Sequence, residues 1–256
     1  MKIITKSKSL NTKMHERWLD YAEVNHFWMV WRFKFLKLQL QLNKVILKKN
    51  MRIMDLGCGN GVLSDQLEKD FHIKIDRVDS NLNTLKLNKN SLGRLICYNI
   101  QNKNEKLKNF YDIIFIFDVI EHIKKDKKFL LNSLYHLKKN GLLIINVPSI
   151  PALFSNYDNA VGHLRRYNKK DFLMIKNYLK MNILHMSYWG FSLLPILFLR
   201  KIILSFYKEK NYDKIIKRGW QTSNILNNML KIIMFFELKT FKKPILGSSI
   251  MAILKR

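Results

Sequence analysis

The chain has 256 residues, of which 48% are hydrophobic, and a formal net charge of +27. This hydrophobic content excludes an intrinsically disordered chain, and the length fits one domain with an elaborated end. Two cysteines without metal-type spacing exclude a zinc site or a disulfide framework and favour a reducing compartment. No apolar segment of signal-peptide length opens the chain, so a cytoplasmic location is expected.

The positive charge has two interpretations at this stage. It favours association with nucleic acid or with an anionic membrane surface. However, 36 lysines against 10 arginines, scattered along an Asn- and Ile-rich chain, are also what an AT-rich genome produces. Charge alone therefore does not name a partner.

The first predicted element is a helical region over residues 14–48. Trp18, Tyr21, Trp28 and Trp31 recur there at near-helical spacing. We accordingly divide the chain into an N-terminal helical segment, 1–48, and a main domain, 49–256.

From residue 51 onward, short apolar runs alternate with helical stretches. Strands are predicted at 51–56, 73–78, 94–98, 111–117, 142–147 and 182–188, and a last strand within 243–256. Helices are predicted at 61–70, 82–89, 123–138 and 169–180, with a helix stop at Asn140-Gly141. Such alternation predicts βαβ units and an α/β fold with a mostly parallel sheet.

The pattern changes between residues 189 and 243, where we predict helices inserted before the last strand. The apolar run of "WGFSLLPILFLRKIILSF" is broken by Pro195 and by Arg200-Lys201. Its uninterrupted part is about a dozen residues, short of the ~20 that span a bilayer. Residues 189–207 are either an interfacial segment, with apolar side chains beside cations, or ordinary core.

The segment "MDLGCGNGVLS" places Gly57, Gly59 and Gly61 where a strand turns into a helix. Such a turn presents backbone N–H groups to a ligand. The dinucleotide pattern G-x-G-x-x-G fails because Val62 holds the third glycine position, and no P-loop lysine follows. Asp79 ends the next strand 24 residues after Asp55, where a carboxylate can accept ribose hydroxyls.

With these motifs the chain resembles the class I S-adenosylmethionine-dependent methyltransferases. The resemblance covers about residues 50–188 and rests on "MDLGCGNG", "VDSN", "YDIIFIFDVIEHI" and "LKKNGLLIINVPS". It is greatest to a bacterial branch, through "NHFWMVWRF" at 25–33 and "YDNAVGHLRRY" at 157–167. It implies a Rossmann-like, doubly wound, seven-stranded sheet with an antiparallel last strand.

The resemblance also implies S-adenosylmethionine as cofactor. The glycine loop would meet its methionine end, Asp55 would anchor that loop or take the amino group, and Asp79 would hold the ribose. The N-terminal helices would form a lid near the cofactor mouth. The expected cofactor-binding residues are Asp55, Gly57, Gly59, Gly61, Asp79, Ser80, Asn99, Ile100, Phe117 and Asp118.

Candidate catalytic residues lie after the fourth and fifth strands of this pattern: Glu121, His122 and His163. Candidate substrate-binding residues are Asp158, Arg165, Arg166 and Tyr167. A histidine can act as a base near neutral pH, and paired arginines can hold an anion. Alternatively, Arg165 and Arg166 pair with Asp158 and Asp171 and only fix the loop, and Glu121-His122 simply opens a helix. No metal is expected.

The favoured function is methyl transfer to a small-molecule or lipid-linked biosynthetic intermediate, such as a quinone or sugar precursor. A nucleic-acid methyltransferase is an alternative, but strand four ends in "FDVIEH" without the Asn/Asp-Pro-Pro-aromatic run. A non-catalytic cofactor-binding protein is another. If 189–207 is interfacial, the protein is peripheral on the inner face of the cell membrane.

Overall fold

One mixed sheet organises the chain. The computed structural model describes residues 2–10, 23–206 and 212–256. The strands are β1 (Ile3–Thr5), β2 (Ile53–Leu56), β3 (Ile75–Asp79), β4 (Leu95–Cys97), β5 (Tyr111–Phe117), β6 (Leu137–Pro148), β7 (Asn182–Trp189) and β8 (Ser249–Lys255). Their order is β1-β4-β3-β2-β5-β6-β8-β7. β8 runs antiparallel to both β6 and β7, and the other pairs are parallel, which confirms the predicted α/β fold.

Helices cover both faces of this sheet. They are α1 (Phe27–Leu42), α2 (Val62–Phe71), α3 (Leu82–Leu85), α4 (Asp126–Leu134), α5 (Asn156–Val161), α6 (Lys169–Leu179), α7 (Leu194–Ser205), α8 (Tyr212–Trp220) and α9 (Asn224–Thr240). Buried residues of α4 and α6 pack on one face. Those of α1, α2 and α9 pack on the other, so the sheet is doubly wound as predicted.

Within the described residues the sheet has eight strands, where the sequence predicts seven. The additional strand is β1, which pairs in parallel with β4 at the edge of the sheet. It has only three residues beside lysines and serines, too short for a periodic signal. Beyond it, the Ser7 hydroxyl accepts the backbone N–H of Asn99 at 2.7 Å, which brings the start of the chain to the carboxyl edge of the sheet.

Two predicted helices differ from those observed. The predicted helix 123–138 ends as α4 at Leu134, and β6 begins at Leu137. The Asn140-Gly141 pair is not a helix stop but part of an irregularity in β6, where Asn140 has a φ of +64°. The predicted helix 82–89 is the single turn α3.

The predicted N-terminal helix, 14–48, is shorter in the structure. Residues 11–22 lie outside the described residues, α1 covers Phe27–Leu42, and 45–48 are not helical. The three helices α7, α8 and α9 lie between β7 and β8, which confirms the predicted insertion.

The order of the strands reverses between β2 and β5, which are neighbours in the sheet although β3 and β4 lie between them in the chain. In such sheets the connections diverge from this point and leave a crevice at the carboxyl ends of the strands. None of the helices within the described ranges combines the length and apolarity that crossing a bilayer requires.

Candidate active site

The crevice holds a cavity of about 370 Å³, here called the cofactor cavity. Its lining includes nine of the ten residues predicted to bind cofactor: Asp55, Gly57, Gly59, Asp79, Ser80, Asn99, Ile100, Phe117 and Asp118. The tenth, Gly61, does not line the cavity but lies two residues beyond Gly59, as the N-cap of α2 with a φ of +85°. The structure therefore brings the predicted set together around one space.

The glycine loop adopts backbone conformations that other residues rarely take. Gly57 and Gly59 have φ values of +76° and +57°. A Cβ atom on Gly57 would lie 2.5 Å from a methyl carbon of Val119, so the loop also passes close to the end of β5. These constraints, and not flexibility, account for the repeated glycines.

Asp79 is held in place by backbone N–H groups. Its Oδ2 accepts the N–H of Gly59 at 3.2 Å, and its Oδ1 accepts that of Asn81 at 2.9 Å. Burial raises the pKa of Asp79, against the effect of these hydrogen bonds. The backbone of Ser80 also interacts with this carboxylate, which has about four acceptor positions in all, so capacity remains for a ligand hydroxyl. The residue thus fits the ribose end of a nucleoside cofactor.

Asp55 is buried at the end of β2 and accepts the Ser64 hydroxyl of α2 at 2.7 Å. Burial raises the pKa of Asp55 to about 6, and the hydrogen bond from Ser64 opposes that shift. The carboxyl group ties strand to helix across the glycine loop.

Asp118 connects three elements at the end of β5. Arg32 of α1 donates to its Oδ2 at 2.6 Å, and Asn146 of β6 donates to its Oδ1 at 2.7 Å. The Asn146 oxygen accepts the indole N–H of Trp189 at 2.8 Å. Asp118 itself has a φ of +56°, a strained conformation for a residue other than glycine. The network fixes α1 beside the cofactor cavity.

A second cavity of about 550 Å³ adjoins the first, and Asp118 and His122 line both. We call it the acceptor cavity. Most of its wall is apolar and comes from α1, α5 and the inserted helices: Phe27, Trp28, Tyr157, Val161, Leu193, Ile196, Leu197, Leu199, Ile203, Leu204, Trp220, Leu226 and Leu230.

Glu121, His122 and His163 meet where the two cavities join. Glu121 is fully buried, and neither of its carboxyl oxygens has a hydrogen-bond partner. Burial and the charge of Asp118 raise its pKa well above the usual value, which favours the neutral acid. Burial lowers the pKa of His122 to about 3, so that ring is neutral near pH 7.

His122 and His163 are oriented by different partners. The Nδ1 of His122 lies 3.1 Å from the carbonyl oxygen of Gly162, to which it must donate. The Nδ1 of His163 lies 2.8 Å from Oδ1 of Asp158, and its Nε2 lies 3.9 Å from Oε1 of Glu121. Glu121 and the two histidines can each offer one ligand atom within 4.8 Å of the others, so the cluster has the composition of a cation site. The expectation of no metal stays a prediction.

Asp158 is the central acceptor of the loop after β6. It accepts from Nε of Arg166 at 2.8 Å and from the backbone and hydroxyl of Ser155. Burial of Asp158 raises its pKa, but the hydrogen bond from His163 and the charge of Arg166 outweigh burial, and the pKa lies well below its usual value. Asp158 therefore remains a carboxylate that fixes the tautomer of His163.

Comparison with known proteins agrees with this geometry. A family profile described as a methyltransferase domain matches residues 30–217. The chain belongs to this methyltransferase family.

Relatives of this methyltransferase domain share part of their length with it. A protein of Rickettsia typhi named ubiquinone biosynthesis O-methyltransferase is 29% identical over 142 residues, 49% of the chain and 57% of the relative. The chain thus spans less than two thirds of such curated relatives.

Solved structures share its fold. An S-adenosylmethionine-dependent methyltransferase from Archaeoglobus fulgidus superposes with a TM-score of 0.53 at 15% identity, covering 87% of this chain and 94% of that one. A Haemonchus contortus phosphoethanolamine N-methyltransferase solved with S-adenosylmethionine gives a TM-score of 0.52 at 16% identity, covering 87% and 51%.

Three predicted substrate-binding residues of the methyltransferase domain, Asp158, Arg165 and Tyr167, lie outside the lining of both cavities. Arg165 pairs with Asp126 at 3.2 Å, and the hydroxyl of Tyr167 donates to the same carboxylate at 2.8 Å. Arg166 lines the acceptor cavity while bound to Asp158. The expected pairing of the loop with Asp171 is not observed, because Asp171 caps α6.

Sequence reasoning did not assign a site role to Arg32 or Arg200. Arg32 lies within the segment "NHFWMVWRF" that carried the resemblance, and a buried cation there required an acidic partner. Arg200 interrupts the apolar run of the insertion, and it lines the acceptor cavity.

We expect Asp158→Asn to lower the free energy of unfolding by about 3–5 kcal/mol near pH 7, since it leaves the buried guanidinium of Arg166 without its counter-charge. The Asp158 carboxylate contributes to the free energy of unfolding above the pKa of about 4 that it has in the unfolded chain. This contribution is lost as the pH falls through its lower pKa in the folded protein. The difference between wild type and variant should therefore narrow below about pH 4. Urea unfolding across pH measures it.

Asp171→Asn is the matched control, because that carboxylate is only partly buried and caps α6. It should lose about 1 kcal/mol. Equal losses for the two variants would contradict the assigned role of Asp158.

Proposed function

We propose that this protein transfers the methyl group of S-adenosylmethionine to a hydroxyl of a small, mostly apolar acceptor. The observation that carries the proposal is the junction of two cavities at Asp118 and His122, with a glycine loop and ribose-type carboxylate on one side. The Rickettsia relatives named ubiquinone biosynthesis O-methyltransferase support a quinone precursor over a sugar precursor. The apolar wall of the acceptor cavity supports the same choice and disfavours a nucleic-acid acceptor.

The cofactor would lie along the glycine loop, with its ribose at Asp79 and its adenine beside Asn99 and Ile100. When bound, it supplies an activated methyl group on a sulfonium, so the protein mainly orients the nucleophile in line. The N-terminal segment, 1–48, acts as a cap in this proposal, since Met29 and Arg32 of α1 line the cofactor cavity.

His163 is the proposed base. Because Asp158 accepts the Nδ1–H, the lone pair of Nε2 is available to take the proton of an acceptor hydroxyl. Glu121, as a neutral acid with unpartnered oxygens beside Nε2, would hold the acceptor oxygen by a hydrogen bond. His122 is neutral and keeps its Nε2 as a further acceptor at the same junction.

The protein is also proposed to bind anionic membranes through the exposed apolar side chains of α7 and α9. These are Ile196, Phe198, Leu199, Ile202, Ile203, Ile225, Leu226, Met229, Ile232, Ile233, Phe235 and Phe236, each at least 40% exposed. Neither helix carries an acidic residue except Glu237, which is buried against the backbone of 190–192. Charge and apolar surface therefore suit an anionic interface.

In this proposal the inserted helices are partly core and partly interfacial, so both alternatives stated for residues 189–207 apply. Leu193 and Leu204 are buried, whereas Ile196, Leu199 and Ile203 are 44–56% exposed, and all five line the acceptor cavity. The cavity is therefore continuous with the apolar surface. A lipid-linked acceptor could enter from a membrane without crossing water, with the protein peripheral on the cytoplasmic side.

For the cofactor, we expect Asp79→Ala to raise the Kd for S-adenosylmethionine about 10–100-fold, since the variant loses charge-assisted hydrogen bonds to the ribose. Isothermal titration measures the Kd. Asp76→Ala, three residues earlier on β3 and paired with Arg94, should leave it unchanged. Unchanged affinity in Asp79→Ala would remove the cofactor assignment. Gly59→Val should abolish binding, because valine strains a loop position with positive φ.

For the chemistry, His163→Asn should lower kcat about 10²–10⁴-fold, as expected for loss of a general base, with cofactor affinity unchanged. The assay uses an alkyl-substituted catechol, with methylated product followed by mass spectrometry. His72→Asn, at the C-terminal end of α2, is the control. If His163 has only a structural role, the His163→Asn variant should instead lose thermal stability and cofactor affinity together. If the wild-type protein binds cofactor but methylates no such acceptor, the result would support the alternative of a non-catalytic cofactor-binding protein.

For the membrane, co-sedimentation with phosphatidylglycerol vesicles should be strong, weaken with salt, and fall in Phe198→Ser/Phe236→Ser. These side chains are 58% and 61% exposed and do not line the acceptor cavity. The control Leu131→Ser/Leu173→Ser removes comparably exposed side chains from α4 and α6. Equal partitioning of wild type and both variants would contradict the proposal. If Phe198→Ser/Phe236→Ser instead elutes from gel filtration at a smaller size than wild type, the surface would be assigned to self-association.

A further inference from the structure

Arg200 is a cation without a counter-charge in a largely apolar cavity. It lies on α7 and lines the acceptor cavity, and its Nε is buried without a hydrogen-bond partner. Its one hydrogen bond within the described part of the chain runs from Nη1 to the carbonyl oxygen of Gly219 at 2.9 Å. A guanidinium has five N–H donors in a planar fork, so most of them remain available.

The neighbours of Arg200 do not neutralise it. Its guanidinium carbon lies 4.1 Å from the ring centre of Tyr157, a cation–π contact that orients the group without supplying charge. Burial lowers the pKa of Arg200 and Arg166 acts in the same direction, whereas Tyr157 and Asp158 oppose the shift without cancelling it. Arginine nevertheless stays protonated near pH 7.

The acidic groups that line the cavity are unable to pair with it. Asp118 is bound by Arg32 and Asn146. Glu121 lies beside His163, and its raised pKa favours the neutral carboxylic acid, which carries no charge to pair with Arg200. Asp158, which acts on Arg200 only through its charge, is bound by Arg166. A guanidinium that is unpaired against a mostly apolar wall, with its Nε buried, is unfavourable unless a ligand anion completes it.

We propose that Arg200 binds an oxyanion, a carboxylate or a phosphate, carried by the apolar acceptor. This inference rests on the proposed function and defines its acceptor as an amphiphilic anion. The planar fork of arginine matches both oxyanions with two parallel hydrogen bonds. The anionic end would lie against α7 and Tyr157, and the hydroxyl to be methylated at the junction with the cofactor cavity.

The test measures binding in the absence of methyl transfer. Decanoate, decyl phosphate, decanol and inorganic phosphate, each below micelle formation, compete with the neutral fluorescent probe N-phenyl-1-naphthylamine. Wild type should bind decanoate or decyl phosphate at least about tenfold more tightly than decanol, because charged hydrogen bonds add to the shared apolar contact. Inorganic phosphate alone should bind weakly, which separates an anion on an apolar body from a free phosphate.

Arg200→Gln should remove the preference for the anionic probes while decanol binding and S-adenosylmethionine affinity stay unchanged. Arg200→Lys keeps the charge without the fork and should keep part of the preference. Lys201→Gln is the matched control, since the neighbouring lysine bonds to the carbonyl of Ala152 and does not line the cavity.

Equal binding of decanoate and decanol by wild type would overturn the proposal without needing any variant. A preference that survives in Arg200→Gln with normal cofactor affinity would overturn it as well. Either result would leave the His163 and Asp79 experiments intact, so failure of this inference is distinguishable from failure of the proposed function.

Discussion

The ion pair between the buried Arg32 and the half-buried Asp118 is the interaction on which the rest of the site depends. Asp118 lines both cavities, and its two oxygens are taken by donors from α1 and β6. Through Asn146 the same network reaches Trp189, whose ring packs against Trp28, Trp31 and Phe35 of α1. Removal of the Asp118 charge would leave the buried guanidinium of Arg32 unpaired, and the same network holds Asp118 in its strained conformation.

The junction of the cavities is nearly neutral although the chain carries a charge of +27. Burial favours the uncharged forms of Glu121 and His122, and Arg166 and Asp158 offset one another. Most of the positive charge is on lysines, which are mainly at the surface. The charge that suggested a nucleic-acid partner is therefore mostly separate from the junction, whereas Arg200 lines the acceptor cavity without an ion pair to the described acidic side chains.

The parts predicted from sequence are those encoded by short-range patterns. The apolar run "YDIIFIF" is β5 residue for residue, and the glycine loop, Asp55 and Asp79 lie at strand ends as expected. The boundaries failed where tertiary pairing outweighs local preference: Leu137 pairs with Tyr111 and draws into β6 residues whose local pattern is helical. Contacts such as Arg32 with Asp118, 86 residues apart, leave no periodic signal, and neither does the continuity of the acceptor cavity with an exposed surface.

The pairing of β1 with β4 has a consequence for the order in which the chain is assembled on the ribosome. Ile3–Thr5 pairs in the sheet with Leu95–Cys97, about ninety residues later in the chain, so β1 cannot join the sheet until β4 has been synthesised. β7 likewise waits for β8, which ends one residue before the last of the described chain. Contacts of such sequence separation close late because the loop entropy must be overcome first. During synthesis both edge strands of the sheet therefore stay unpaired for longer than β2, whose neighbour β3 follows it by about twenty residues.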